Sequence, residues 1–337
     1  MQKHTFTISM FAGIALLTVL AQMGVINQYL QSVIMLMGVN IILAASLNLV
    51  NGYMGEFSCG HGGFMCVGAY GASVMTVLCF SKNAILGAPL LPDSLALLAF
   101  PLSLAVGALL AAVAGLIVAI PSFKTRGDYL AIITLAANYM VISAINNLEI
   151  IGGPRGFMGM NATINAMSAV VKLPWMLIWV CLGTVFSVWL LRRFVSSTLG
   201  KGVPAIAQDE IAAEIMSVNT NRMKLIAFML SSGLAGLAGG LFAHMLGYVN
   251  PNSFDILKST EVMVMVYLGG MGSLSGATLS AVLFTVLLEV LRPLEIWKWV
   301  VIPLLLILLM QFRPEGLMGN KELSQLFPKL KKYYSFK

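Results

Sequence analysis

The chain is poor in charge. Only 10% of its 337 residues are Asp, Glu, Lys or Arg, against about 25% in an ordinary soluble domain. Hydrophobic residues make up 59% of it, and a soluble fold would leave several uncharged runs of about 20 residues without a use. Cysteine is scarce as well. Cys59, Cys66, Cys79 and Cys181 form no C-x-x-C pair and lie in apolar stretches, where cysteine acts as a small hydrophobe. Neither a disulfide nor a metal site is expected. The three histidines are scattered, and no H-E-x-x-H occurs. His244 reads as an interfacial residue at the outer end of a span. A phosphate-binding loop is missing too: Gly200-Lys201 lacks the upstream glycine and the following hydroxyl. No Ser, His and acid set recurs at one place. The chain therefore reads as no enzyme, with no cofactor of its own.

Acidic residues are few, 13 against 20 basic ones, for a net charge of +7. That excess does not point to nucleic acid. Lys3, Lys124, Arg126, Arg192, Arg193, Lys201, Arg222, Lys224, Arg313, Lys321, Lys329, Lys331, Lys332 and Lys337 all fall in segments assigned to one side of a membrane. This is the positive-inside bias, and it makes those segments cytoplasmic. The first 26 residues carry one Lys and a long apolar run without a clear small-residue cleavage site, so an uncleaved first span is expected.

What is present is a series of spans. They are expected near Thr5 to Val25, Tyr29 to Val50, a third ending near Phe80, Leu95 to Ile120, Tyr129 to Leu148 and Pro174 to Leu191, with further spans from Arg222 onward. The fold class is an all-α polytopic membrane protein with about ten transmembrane helices, some short or broken, in a single domain over 1–337. Gly107, Ala111 and Gly115, and again Ser232, Gly236 and Gly240, recur at four-residue spacing, a stripe that lets helix backbones approach. The segment Ser259 to Leu291 is too long for one straight span and too short for two. Its GGMGSLSG, with Gly269, Gly270 and Gly272, predicts two short helices meeting at the glycines. Counting both puts the two termini and the basic tail 313–337 inside. The outer loop Glu149 to Leu173 carries IGGPRGFMGM and is expected to be a folded cap.

Two stretches carry candidate function. Asn51 to Val74 is dense in glycine and holds Glu56, Ser58 and His61. Irregular backbone at membrane depth is tolerated only under protein or beside a watery cavity, which makes this a candidate pore lining. The alternative is a glycine-packed helix start, with Glu56 and His61 in the cytoplasmic interface. Asn138 in the fifth span is a second pore candidate, with packing as its alternative. The other stretch, Val203 to Val218, is amphipathic. Val203, Ile206, Ile211, Ile215 and Val218 fall roughly on one helical face, and Asp209, Glu210 and Glu214 occupy the rest. Helices that lie on headgroups are usually Lys/Arg-rich on the polar face. An acidic one favours docking to a soluble partner over contact with membrane lipid.

Seven stretches now carry a resemblance. They are GEFSCGHGGFMCVGAY (Gly55 to Tyr70), TRGDYLAIITLA (Thr125 to Ala136), GGPRGFMGM (Gly152 to Met160), QDEIAAEIMSVN (Gln208 to Asn219), SSGLAGLAGGL (Ser231 to Leu241), YLGGMGSLSGATLSA (Tyr267 to Ala281) and FRPEGLMG (Phe312 to Gly319). In this order they resemble the LivM-like permease subunits of branched-chain amino acid ABC importers. The resemblance implies translocation of branched-chain amino acids or similar small polar solutes across the bacterial inner membrane. It also implies a second, LivH-like permease, two ATPase subunits (LivG-like and LivF-like) that bind the ATP, and a periplasmic solute-binding protein. It places Asp209, Glu210, Ala212, Ala213, Glu214, Ser217 and Asn219 in a cytoplasmic coupling helix, 203–220. Departures are Ser217 where the family commonly has Gly, Ala207 in place of a basic residue, Asn138-Tyr139 in place of Gly-Glu, and Ser275 in place of Pro. An ion-coupled secondary amino-acid transporter is the competing function, and a structural subunit without a pathway is a third. The acidic cytoplasmic helix has no role in the ion-coupled transporter.

Overall fold

Apolar composition without local polar competition makes helices throughout. The computed structural model describes residues 13–81, 89–123, 129–312, 315–319 and 322. Residues 1–12 of the first span, the loop cations Lys124 and Arg126, and most of the basic tail, from Arg313 to Lys337, lie outside the described residues. The helices are α1 (Gly13–Gln22), α2 (Gln28–Asn48), α3 (His61–Phe80), α4 (Ala96–Ser122), α5 (Tyr129–Asn146), α6 (Asn161–Val170), α7 (Trp175–Ser196), α8 (Thr198–Gln208), α9 (Glu210–Ile215), α10 (Thr220–Leu246), α11 (Ile256–Gly269), α12 (Leu274–Val290) and α13 (Lys298–Phe312). Among the described residues six helices are long and apolar enough to cross a membrane: α2 with the turn after it, α3, α4, α5, α7 and α10. α1 and α12 are shorter apolar helices.

The centre is a glycine-lined contact of α3, α4 and α10. A Cβ on Gly68 would overlap the Gly236 backbone, and one on Gly107 would come within 2.6 Å of the Gly68 carbonyl. The small-residue stripes thus allow three backbones to meet. Phe64, Phe228 and Phe123 pack edge to face beside this contact, with ring centroids 5.5 and 5.8 Å apart. His244 is part of this core and not interfacial. It is fully buried, with Nε2 2.9 Å from Thr76 Oγ1 and Nδ1 2.7 Å from the Gly240 carbonyl. A partner 168 residues away satisfies the ring, which sequence spacing could not reveal.

The outer loop is folded, as expected. Two strands, β1 (Phe157–Met158) and β2 (Tyr248–Val249), pair antiparallel, with Phe157 opposite Val249, and α6 follows β1. The glycine interruption also appears as expected. α11 ends at Gly269, Gly270 and Gly272 take φ values of 108° and 80°, and α12 begins at Leu274. Positive φ at both positions is why glycine stands there.

The predicted single helix Val203 to Val218 is two. Asp209 leaves helical geometry (φ −158°, ψ 109°), and its side chain accepts from Ile211 N and Ala212 N at 2.9 and 3.0 Å. An Asp in this role starts a new helix. The bend splits the apolar face. Val203 and Ile206 on α8 stay buried, whereas Ile211 and Ile215 on α9 are 61% and 77% exposed.

Candidate functional site

Two junctions gather the predicted site residues. The first joins the docking segment to the glycine-dense stretch. After α2 the chain makes a wide π-helical turn, Leu49–Tyr53, and then runs without regular structure to Gly60. This segment is held by side chains in place of a ladder. Asn51 Oδ1 accepts from Ser58 N at 3.2 Å, and Thr134 Oγ1 accepts from Cys59 N at 3.1 Å. A Cβ on Gly60 would lie 2.5 Å from the Thr134 carbonyl, so α5 sits directly against the segment. Such pairing is what buried irregular backbone requires.

Glu56 projects from this segment to Lys224 Nζ at 2.7 Å, and Glu210 of α9 reaches the same ammonium at 2.9 Å. The Lys224 side chain is 7% exposed, and its ammonium also lies 5.8 Å from the Phe123 ring centroid. Sequence reasoning counted Lys224 among the cations of the cytoplasmic side. The structure makes it the buried bolt of an acid–base–acid triad linking α9, α10 and the irregular segment. No local pattern marks it, because Glu56 lies 168 positions away.

The remaining docking residues divide by direction. Glu214 Oε1 accepts from Thr220 Oγ1 at 2.9 Å, and Asn219 Oδ1 caps α10 by accepting from Arg222 N at 3.0 Å. Ala213 is buried against its own chain, whereas Ala212 is exposed. Ser217 has φ 63°, the one positive φ outside glycine among the described residues. A turn that a glycine would adopt freely is here made by serine at some cost in strain. The exposed apolar side chains of α9 and its end are therefore Ile211, Ala212, Ile215 and Met216, the last 78% exposed, while half-buried Glu210 turns to Lys224 and exposed Glu214 is tied to Thr220.

The second junction is the break between α11 and α12. Asn48, at the end of α2, spans it: Oδ1 accepts from Gly272 N at 3.0 Å and Nδ2 donates to the Ser273 carbonyl at 2.9 Å. Gly52 faces Gly272 so closely that a Cβ on Gly52 would overlap Gly272 N. The two glycine-dense stretches of the sequence thus meet. Gly269 is buried against Gly276, and Gly270 lies against residues 315–319, where Leu317 N and Met318 N donate to the Leu268 and Gly269 carbonyls. Glu322 caps α12, accepting from Leu274 N at 2.8 Å and Ser275 Oγ at 2.6 Å. The start of the basic tail is thus docked on the break. Ser275, where a proline was expected, supplies donors that proline lacks.

His61 and Asn138 complete the set. His61 opens α3, with Nε2 2.8 Å from Ser46 Oγ, and Ser231 Oγ donates to the Ser46 carbonyl at 2.6 Å. His61 and Ser58 are each 3% exposed, so neither sits in an interface with solvent. Asn138 is 1% exposed and faces Gly63, and neither its Oδ1 nor its Nδ2 finds a partner among the described residues. Among the described residues no group of three or more His, Cys, Asp or Glu could hold a metal ion.

Comparison with known proteins follows the same lines. Residues 29–310 match the family described as branched-chain amino acid transport system / permease component. The high-affinity branched-chain amino acid transport system permease protein LivM of Escherichia coli K12 is 32% identical over 302 residues, 82% of this chain and 67% of that protein. The probable LivM of Methanocaldococcus jannaschii is 25% identical over 332 residues, 88% of this chain and 94% of the relative. The permease protein LivH of Salmonella typhimurium is 26% identical over 203 residues, 59% of this chain and 61% of LivH. No solved structure matches the chain. The chain is a multi-pass membrane protein that belongs to the family of permease components of branched-chain amino acid transport systems.

Proposed function

We propose that this permease imports branched-chain amino acids or similar small polar solutes across the bacterial inner membrane, in a complex driven by ATP hydrolysis on separate subunits. Its partners are a second, LivH-like permease, LivG-like and LivF-like ATPases, and a periplasmic solute-binding protein. Ten crossings with both termini cytoplasmic complete the topology: a first span near Thr5 to Val25, the six long helices, α11 and α12 as two short crossings, and α13. The observation that carries the reading is the α9 knob. Ile211 and Ile215 on the six-residue α9, and Met216 just after it, stand exposed in the segment between α7 and α10, whose facing ends carry Arg192, Arg193 and Arg222. Large apolar side chains left exposed beside carboxylates already engaged by Lys224 and Thr220 fit a groove in a soluble partner. Lys224 ties that knob to the irregular segment, so a push on α9 reaches Glu56 directly.

The route for solute passes Glu56, Ser58, His61 and Asn138 and the glycines Gly269, Gly270 and Gly272. The unpartnered Asn138 supports this placement. A buried amide without partners costs about 1–3 kcal/mol, and it holds hydrogen-bonding capacity in reserve for a polar solute. A gradient-driven mechanism gives the α9 knob nothing to do.

The docking test uses Ala212, because Ala213 is buried against its own chain and a bulky residue there would disturb the permease itself. Ala212→Trp is expected to abolish ATPase co-purification and ATP-dependent uptake while the permease remains folded and inserted. Normal co-purification together with normal uptake would return α9 to a surface-lying helix.

A further inference from the structure

One ion pair lies at membrane depth and belongs to neither junction. Lys258 Nζ meets Glu261 Oε2 at 2.9 Å on the first turns of α11, with side chains 14% and 19% exposed. Its depth can be measured against α3 and α10, which run side by side in one direction, Gly68 on Gly236 and Thr76 on His244. Ser259 Oγ, next to Lys258, accepts from Gly62 N at 2.9 Å. Gly62 lies about 27 Å below Phe80, at about 1.5 Å per helical residue. Upward, the Lys258 ammonium lies 5.9 Å from the ring centroid of Phe242, about one turn below the outer end of α10. The pair therefore stands between the levels of Gly62 and Phe242, within a hydrocarbon layer about 30 Å thick.

Charges at that depth do not face lipid. Nor does stability account for them, since an apolar pair of similar volume would serve a buried site as well or better. The flank of α11 beside them is open: Leu257 is 55% exposed and Thr260 is exposed, and Asn252 and Ser253 are exposed just before the helix. A cation and an anion side by side, bordered by the Phe242 ring and by Leu257, match one chemical class. That class is a small zwitterion with an apolar side chain. We infer that Lys258 and Glu261 form a contact site for the zwitterionic head of the transported amino acid. Lys258 receives the α-carboxylate, Glu261 receives the α-ammonium, and Phe242 and Leu257 border the side chain. This site lies on the route proposed above and rests on the importer reading.

The test uses the full complex in proteoliposomes, with radiolabelled leucine inside the binding protein's compartment and ATP at the ATPases. Two variants are compared with the unmodified chain. K258M/E261M removes both charges at similar volume. K258E/E261K keeps an ion pair but reverses its polarity, which a merely structural pair would tolerate. Both are expected to lose at least about tenfold in uptake while co-purifying with their partners and keeping basal ATP hydrolysis within about twofold. Uptake near the unmodified level in either variant overturns the site. So does failure of K258M/E261M to assemble when K258E/E261K assembles and transports. An unmodified complex without ATP-driven leucine uptake overturns the importer reading itself, a result distinct from failure of the site.

Discussion

Lys224→Met should leave a folded but uncoupled and less stable permease. Two carboxylates, Glu56 and Glu210, now share one ammonium at 2.7 and 2.9 Å. Removing the cation leaves them facing each other without a counter-charge. Breaking a buried ion pair costs about 3–5 kcal/mol, and Glu210, 37% exposed, keeps this case at the low end of that range. Thermal unfolding in detergent should shift down, and ATP-dependent uptake should fall to background. Adding Glu56→Gln and Glu210→Gln to Lys224→Met removes the stranded charges. Stability should then recover while uptake does not, because the tie between α9 and the irregular segment is still gone. Recovery of uptake in the triple variant would reduce the triad to a structural neutralisation. Unchanged stability in Lys224→Met would remove the triad altogether.

Gly68→Leu should have the largest effect on folding. A Cβ at Gly68 has no room, since the atoms in its way belong to the Gly236 backbone and cannot rotate aside as a side chain would. Overpacking commonly costs about 1–3 kcal/mol even where side chains can move. Here three helix backbones must separate, and the neighbouring contact of Gly107 with the Gly68 carbonyl is lost with them. The expected result is no monodisperse protein on size exclusion after extraction. Gly13→Leu is the matched control, because nothing lies within 4 Å of a Cβ there. A monodisperse Gly68→Leu permease would show that α3 and α10 do not meet as described.

Periodicity and length carried much of this architecture. The segment from Ser259 onward had to break, because its length suited neither one span nor two, and it breaks at Gly270 to Ser273. The stripe Ser232, Gly236, Gly240 marked a packing face, and that face meets Gly68, Ala72 and Gly107. The failures have one physical cause. Asp209 looked like a polar residue on a continuing helix, and its side chain instead caps a new one, turning Ile211 and Ile215 outward. Glu210 and Glu214 looked free to meet a partner, and Lys224 and Thr220 engage both within the chain. His244, Asn48 and Glu322 each find partners far away in sequence, at Thr76, Gly272 and Leu274. Window-based reading sees a residue's own helix face. It does not see which distant group will satisfy a polar atom once apolar burial brings the helices together.

The central claim is that ATP hydrolysis on partner subunits, acting through α9, moves solute through this chain. Uptake of labelled leucine by the reconstituted complex tests it most directly, comparing ATP with the binding protein present against a proton or sodium gradient alone. The account predicts uptake with ATP that Ala212→Trp abolishes, and none with either gradient. Gradient-driven uptake that is indifferent to ATP and to Ala212→Trp would contradict it.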